Sequence, residues 1–479
     1  MTSGVLTRRA VRGATALRGG RVWRPTPYQV FGFLFWLLMT LAYWRVPPCC
    51  DAGQHAGVVE RLRAGLPDTG FHSPYVLAQT AFARLTGLTG WEVLRVFGPL
   101  NLLVLLTGLG RFVRVLTPRP WAPVLALTFL TLLWGTEPSA GGAHLALLPM
   151  TGNLAYPSTF ATGLALGAWA LTGARACDVR PVRYVGPSGL RSFSGFAALG
   201  VLYGVVALVD PVVGLGAALG AVALVVGRQR GRCAAVGGRW ALTCAVAALV
   251  AWYRPYSGTS ALARGIDSGL PGQCWLGLLG VPALWLRARR GGWRDPLVVM
   301  CALEWPVLVY GRFGGLLGLA LAAPQCALAV ELAAARPWPV WRRALGWAAA
   351  GGTCLGFLTV HAGAVVPRSL DPVGFAQPPR WPSYDWAAVH VRAGDVVITD
   401  DPHAARSLPG YGAALADPGD YLSPGATRAE RFAYVRRHQV RWLLLTRRRK
   451  VPEEAVVVSW SRRTGEVLAR VVQGPGTGR

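Results

Sequence analysis

Apolar runs of about 16 to 20 residues, each about long enough to cross the hydrocarbon of a bilayer, alternate with short arginine-rich gaps over the first 366 positions. The pattern predicts spans at residues 28–44, 97–109, 124–134, 160–171, 194–209 and 211–227. Later spans end near Tyr253, before the Arg287–Arg294 cluster, at 296–310 and before Arg336, and the last covers 344–366. The fifth and sixth meet at Asp210 and Pro211, where proline forbids a continuous helix and predicts a turn. With about eleven spans, every strong arginine cluster falls on one side. These clusters are Arg8–Arg24, Arg111–Arg119, Arg175–Arg191, Arg228–Arg239, Arg287–Arg294 and Arg336–Arg343. Residues 1–27 are then a basic cytoplasmic N-terminus and 28–366 the transmembrane domain, in a multi-pass protein of the cell membrane. Counts of ten or twelve spans remain open.

Two stretches break the pattern. Residues 45–96 form a long outer loop, in which Val58, Val59 and Leu62 share a helix face with Asp51 and His55; Val76–Leu85 reads as a second amphipathic helix, both lying along the interface. Residues 367–479 read as a small extracytoplasmic α/β domain. Strands are predicted at Val396–Thr399, Trp442–Thr446, Val456–Trp460 and Val467–Val472, with a helix over Ala426–His438.

Composition narrows the classes. The chain of 479 residues is 53% hydrophobic and 15% charged, with 49 Lys+Arg against 22 Asp+Glu and a formal net charge of +27. The basic residues of the first 345 positions sit mainly between apolar runs, so they set orientation and do not form a nucleic-acid-binding face. Lysine occurs once, at Lys450, a bias that fits a GC-rich bacterial coding sequence. Nine cysteines include neither a CxxC pair nor a Cys/His cluster, so no metal or other cofactor is indicated, although a divalent metal is not excluded.

Acids are scarce, which singles out the segment Asp51, Ala52, Gly53, Gln54, His55 at the mouth of the first span. With His72, Ser73, Pro74, Tyr75; Asn153, Leu154, Ala155, Tyr156, Pro157; Asp210 and Pro211; and Gly394 through Asp400 with Tyr411 and Gly412, the whole layout resembles the GT-C superfamily of polytopic membrane glycosyltransferases. The resemblance implies a GT-C-like helical membrane fold, a polyprenyl-phosphate-linked sugar donor, and a glycan or glycolipid acceptor in the cell envelope. Many members carry paired acids in this loop, whereas here a single Asp is followed by His.

In such a transfer a carboxylate accepts the acceptor's proton as the new bond forms, and the resemblance gives Asp51 that role in an inverting displacement. Capping of the following helix is the alternative. His55 lies four residues on, where it either orients Asp51, touches substrate or is simply solvated. The departing phosphate needs cationic donors, for which Arg254, Arg264 and Arg312 are candidates, with lipid headgroups as their other partners. His72 and Tyr75 join the candidate substrate contacts through the motif. Glu304 falls mid-span, where an ionisable group marks a functional site or a neutral structural acid. Asp210 is a second cavity-facing acid or a turn cap. A transporter of lipid-linked glycans and an inactive GT-C-like scaffold are the competing readings; the former predicts internal repeats, of which none is clear.

Overall fold

The computed structural model describes residues 25–46, 51–66, 73–137, 144–176, 187–229, 234–252, 270–311, 314–334, 339–423 and 425–472. Helix α1 (Pro27–Arg45) starts on a capping box between Thr26 and Gln29 with Pro27 in the first turn, satisfying amide groups that would otherwise be orphaned. Helices α2 (Ala52–Arg63) and α3 (Pro74–Thr86) follow, then the 27-residue α4 (Gly90–Leu116), capped by Thr89 and Glu92. Next come α5 (Ala122–Leu132), α6 (Leu147–Asn153), α7 (Pro157–Ala176), α8 (Pro187–Val209), α9 (Pro211–Arg228) and α10 (Ala234–Trp252). The short α11 (Leu270–Cys274) runs through a 3-10 turn into α12 (Val281–Gly291), followed by α13 (Pro296–Gly311), α14 (Leu317–Leu332) and α15 (Val340–Gly356).

Among the described residues, Gly90–Leu116, Pro211–Arg228 and Gly314–Leu332 are long and apolar enough to cross a membrane, and four shorter apolar helices join them. Helices occupy the stretches read as spans, with the eighth divided between α11 and α12, and α4 begins at Gly90, inside the stretch expected to be outer loop. The candidate residues Arg254, Arg264, Arg312 and His72 lie outside the described residues.

Close packing organises the bundle. Helix α4 crosses α7 where Gly108 faces Gly163, and a Cβ on either would collide with the other helix's backbone. Small residues at such crossings let helix backbones touch without a hydrophobic drive between apolar neighbours in lipid. Helix α14 is buried along nearly its whole length, and its Gln325 donates to the Leu133 carbonyl at 2.8 Å. The bundle has two distinct ends. Arg45 and Trp91 lie at the one that meets the tail. At the other, Arg114 donates to Thr26 and Arg228 to the Val115 carbonyl.

The tail carries α16 (Asp385–Ala388), α17 (Pro402–Ser407), α18 (Pro418–Tyr421), α19 (Arg428–His438) and five strands. These are β1 (Val396–Thr399), β2 (Ala414–Leu415), β3 (Val440–Leu445), β4 (Ala455–Trp460) and β5 (Val467–Val471), in the order β2-β1-β3-β5-β4. The first three are mutually parallel, while β5 runs antiparallel to β3 and β4. Successive side chains alternate between faces. Trp442 and Leu444 therefore pack with Tyr384 and Leu408 on one face, and Leu443 and Leu445 with Tyr421 and Val435 on the other. The two-residue β2 has no periodic signature and was not expected.

Candidate functional site

Helix α2 is wedged between the bundle and the tail. A Cβ on Gly53 would strike the Arg406 carbonyl and one on Gly57 the Pro409 carbonyl, both in the tail. Gly90, at the start of α4, meets the Ala56 carbonyl just as closely. Glu60, 6% exposed, accepts the Gly90 N–H at 2.9 Å and pairs with Arg63. The spacing of Gly53 and Gly57 by one helical turn thus puts one face of α2 flat against the tail.

Asp51 occupies the position just before α2 and is partly exposed. Its carbonyl accepts the N–H groups of Gln54 and His55 at 3.1 and 3.2 Å. Its carboxylate makes no capping hydrogen bond to the helix, so the capping alternative does not account for its side chain. One turn on, the His55 ring lies 4.9 Å from the Tyr156 ring.

A shallow cleft opens beside this turn, with Tyr43, Ala52, Trp91, Arg95, Thr151 and Tyr156 among its lining residues. Proline explains how Arg95 is held. Pro99 lies inside α4 and has no N–H for the carbonyl four residues earlier, which is that of Arg95. The Trp44 indole of α1 donates to that carbonyl at 3.0 Å, and Tyr43 Oη donates to the Leu94 carbonyl at 3.0 Å. On the tail side, Trp91 packs against Gly410 and lies 5.8 Å, ring to ring, from Tyr411. Tyr411 Oη donates to Asp385 at 2.6 Å, and its pKa is raised by burial and by that carboxylate.

A second, smaller recess shares Val46 with the first and is lined by Arg45, Gln377, Pro378 and Arg380. Arg45, Arg95 and Arg380 are all exposed, and none makes a side-chain hydrogen bond or salt bridge among the described residues. The two adjacent clefts carry three uncommitted guanidiniums, with aromatic walls in the first and a carboxylate nearby. Such a set suits an anionic group attached to something that stacks or slides on aromatic rings. No three His, Cys, Asp or Glu side chains gather as a metal site among the described residues.

The other candidates fall elsewhere. Tyr75 is buried at 4% exposure; it donates to the Ala155 carbonyl at 2.9 Å, accepts from Asn101 Nδ2 at 2.7 Å and stacks on Phe160. It thus fastens the turn that presents Tyr156 and does not line the cleft. Asp210 caps α9, accepting the N–H groups of Val212 and Val213 at 2.9 and 3.1 Å. Glu304 is fully buried in α13 among apolar side chains, with neither oxygen hydrogen-bonded among the described residues. In the tail, Asp400 binds Thr446 and Arg449, and Asp401 caps α17 and accepts from Tyr384. Asp395, although burial opposes it, has its pKa lowered by the Arg392 N–H, Trp442 and Arg441. Arg45, Arg95 and Arg380 were not singled out from sequence. The one available signal was Arg45, a lone cation at the far end of a span whose other flank is arginine-rich.

No protein-family model matches the sequence, and neither does any curated protein. Solved structures do. The chain is similar to ArnT from Cupriavidus metallidurans bound to undecaprenyl phosphate, with a TM-score of 0.55 and 16% identity over 94% of this chain and 99% of that one. It is similar to the mycobacterial arabinofuranosyltransferase AftD, with a TM-score of 0.55 and 14% identity, covering 93% of this chain but 41% of AftD. The Archaeoglobus fulgidus oligosaccharyltransferase tethered to an acceptor peptide gives a TM-score of 0.50 at 11% identity, over 88% of this chain and 69% of that one. At these identities the likeness is one of fold alone: the chain has the fold of these three structures.

Proposed function

We propose that this chain is a multi-pass membrane glycosyltransferase that moves a sugar from a polyprenyl-phosphate carrier to a hydroxyl of a cell-envelope glycan or glycolipid. In this reading about eleven spans within residues 28–366 cross the membrane. The N-terminus is cytoplasmic, and the tail from 367 onward is an extracytoplasmic domain seated over the cleft. The observation that carries the reading is a pair of adjacent recesses near Asp51, one lined by Arg95 and the other by Arg45 and Arg380, on a GT-C-like fold.

The chemistry follows from those groups. The lipid phosphate docks on the guanidiniums, which offer paired N–H donors to its oxygens. Asp51 accepts the proton of the acceptor hydroxyl as its oxygen bonds to the sugar's anomeric carbon. The bond from that carbon to the phosphate oxygen breaks in the same displacement, with inversion. The leaving polyprenyl phosphate takes the bond's electron pair, and the arginines stabilise its growing charge. His55 and Tyr156 shape the acceptor side, and the carrier's chain lies along the apolar flank of α1 and α4.

Incubation of the purified full-length protein with a panel of radiolabelled polyprenyl-phosphate sugars and envelope glycan acceptors tests the proposal. Transfer from at least one donor, lost in Asp51→Asn, is the expected result. Tight binding of a carrier without transfer to any acceptor would leave a scaffold and overturn the enzymatic reading.

A further inference from the structure

The end of the bundle opposite the cleft contains a second pair of uncommitted arginines, from helices that play no part in the site above. Arg175 ends α7 and Arg239 lies in the second turn of α10; both guanidiniums approach the ring of Phe196 on α8, at 5.7 and 5.9 Å from its centroid. Both groups are therefore gathered around a single ring. Trp240 closes the ring's edge at 5.0 Å. The Arg175 guanidinium also lies over Gly195, where the missing side chain leaves room for it.

Both arginines have a buried nitrogen with no partner among the described residues: Nη1 of Arg175 and Nε of Arg239. Arg239 is only 9% exposed. Buried polar groups are nearly always hydrogen-bonded, and a charged one left without a partner is costly. Neighbouring arginines at the same end are handled differently. Arg287 is paired with Asp295, and Arg290 and Arg342 both with Glu331. Position points to lipid. The 20 residues of α7 place Arg175 about 30 Å from the cleft end of that helix, roughly one hydrocarbon thickness. The flank formed by α8 and α10 exposes Phe193, Val201, Leu249 and Trp252. The arginine pair sits where that apolar flank ends, at the level of headgroups.

We infer that Arg175 and Arg239, bracketing Phe196, bind the phosphate of an anionic lipid headgroup in the leaflet opposite the cleft. The site takes a phosphodiester or phosphomonoester bearing net negative charge. It is independent of the glycosyltransferase reading and stands or falls without it.

Native mass spectrometry of the full-length protein, released from detergent after incubation with phosphatidylglycerol or phosphatidylcholine, tests the site. Wild type is expected to retain phosphatidylglycerol over phosphatidylcholine, and Arg175→Gln/Arg239→Gln to lose that adduct about tenfold, as befits lost charge-assisted hydrogen bonds. Arg290→Gln, which removes a guanidinium already neutralised by Glu331, is expected to retain the lipid. Should the double variant fail to fold, Arg175→Gln alone, at a half-buried position, is read instead. Equal retention of the two lipids, or retention by the arginine variants equal to wild type, overturns the site. Displacement of the adduct by millimolar inorganic phosphate would reassign it to soluble phosphate and overturn the lipid assignment.

Discussion

Two groups of arginines at opposite ends of one helix bundle are used in opposite ways. At the end away from the tail, Glu331 is nearly buried between Arg290 and Arg342, at 3.0 Å from each, and Arg287 pairs with Asp295 at 2.7 Å. Trp341 packs under both Arg290 and Arg342, 5.5 and 5.1 Å from its centroid. These charges are consumed in joining α12, α14 and α15. At the cleft, Arg45, Arg95 and Arg380 make no salt bridge among the described residues. A protein this poor in acid cannot neutralise every arginine, so where its few carboxylates are placed separates structural cations from those left for a ligand. The difference teaches that charge count says little here and pairing says much.

The sharpest way to break the comparison is to remove the cleft's cations together. Arg45→Gln/Arg95→Gln/Arg380→Gln is expected to lower kcat/KM for sugar transfer about a thousandfold with melting little changed, since preorganised donors at a leaving group contribute on this scale. Unchanged turnover would show the cleft to be bystander surface. The converse holds at the other end. Glu331→Gln strands two guanidiniums and is expected to cost about 3 kcal/mol, as removal of one partner from a buried ion pair does. Thermal unfolding reads that loss, and activity below the melting range should stay within about twofold of wild type on the same argument.

The interface between the tail and α2 gives a subtler test. Gly57→Ala pushes a methyl group into the Pro409 backbone and is expected to lower kcat about tenfold with KM little changed, because small misplacement of a catalytic group is expensive. A fall in stability alone, with kcat intact, would mean that the tail does not position Asp51. The smallest effect is expected from Tyr75→Phe. It deletes the bonds to Ala155 and Asn101, worth about 1 kcal/mol each, and should show as a modest rise in acceptor KM measured by initial rates.

How much of this was legible beforehand depends on whether the information is local. Helix positions follow from apolar runs and arginine gaps, and β1 was expected over the residues it occupies, because periodicity and turn residues act within a few positions. Boundaries drifted where the local signal is weak: β3 begins at Val440, two residues before the expected start, and α19 begins at Arg428 because Thr427 and Glu430 form its capping box. The cleft was not legible. Arg45 and Arg95 are distant from Arg380 in sequence and approach it only through the fold, and the Arg95 carbonyl, which Pro99 leaves free, is taken by Trp44. The pairing of Glu331 with two arginines was hidden for the same reason. Asp51 stood out by scarcity, a compositional signal that needs no contacts.

The central claim is that the carboxylate at the start of α2 removes the acceptor's proton while the cleft's arginines hold the carrier phosphate. Single-turnover transfer from a radiolabelled polyprenyl-phosphate sugar, measured alongside donor binding in Asp51→Asn, tests both halves at once. The expected result is a transfer rate lower by at least about a hundredfold, the scale of general-base catalysis, with donor affinity within a few-fold of wild type. Transfer at the wild-type rate by a folded, donor-binding Asp51→Asn protein would contradict it.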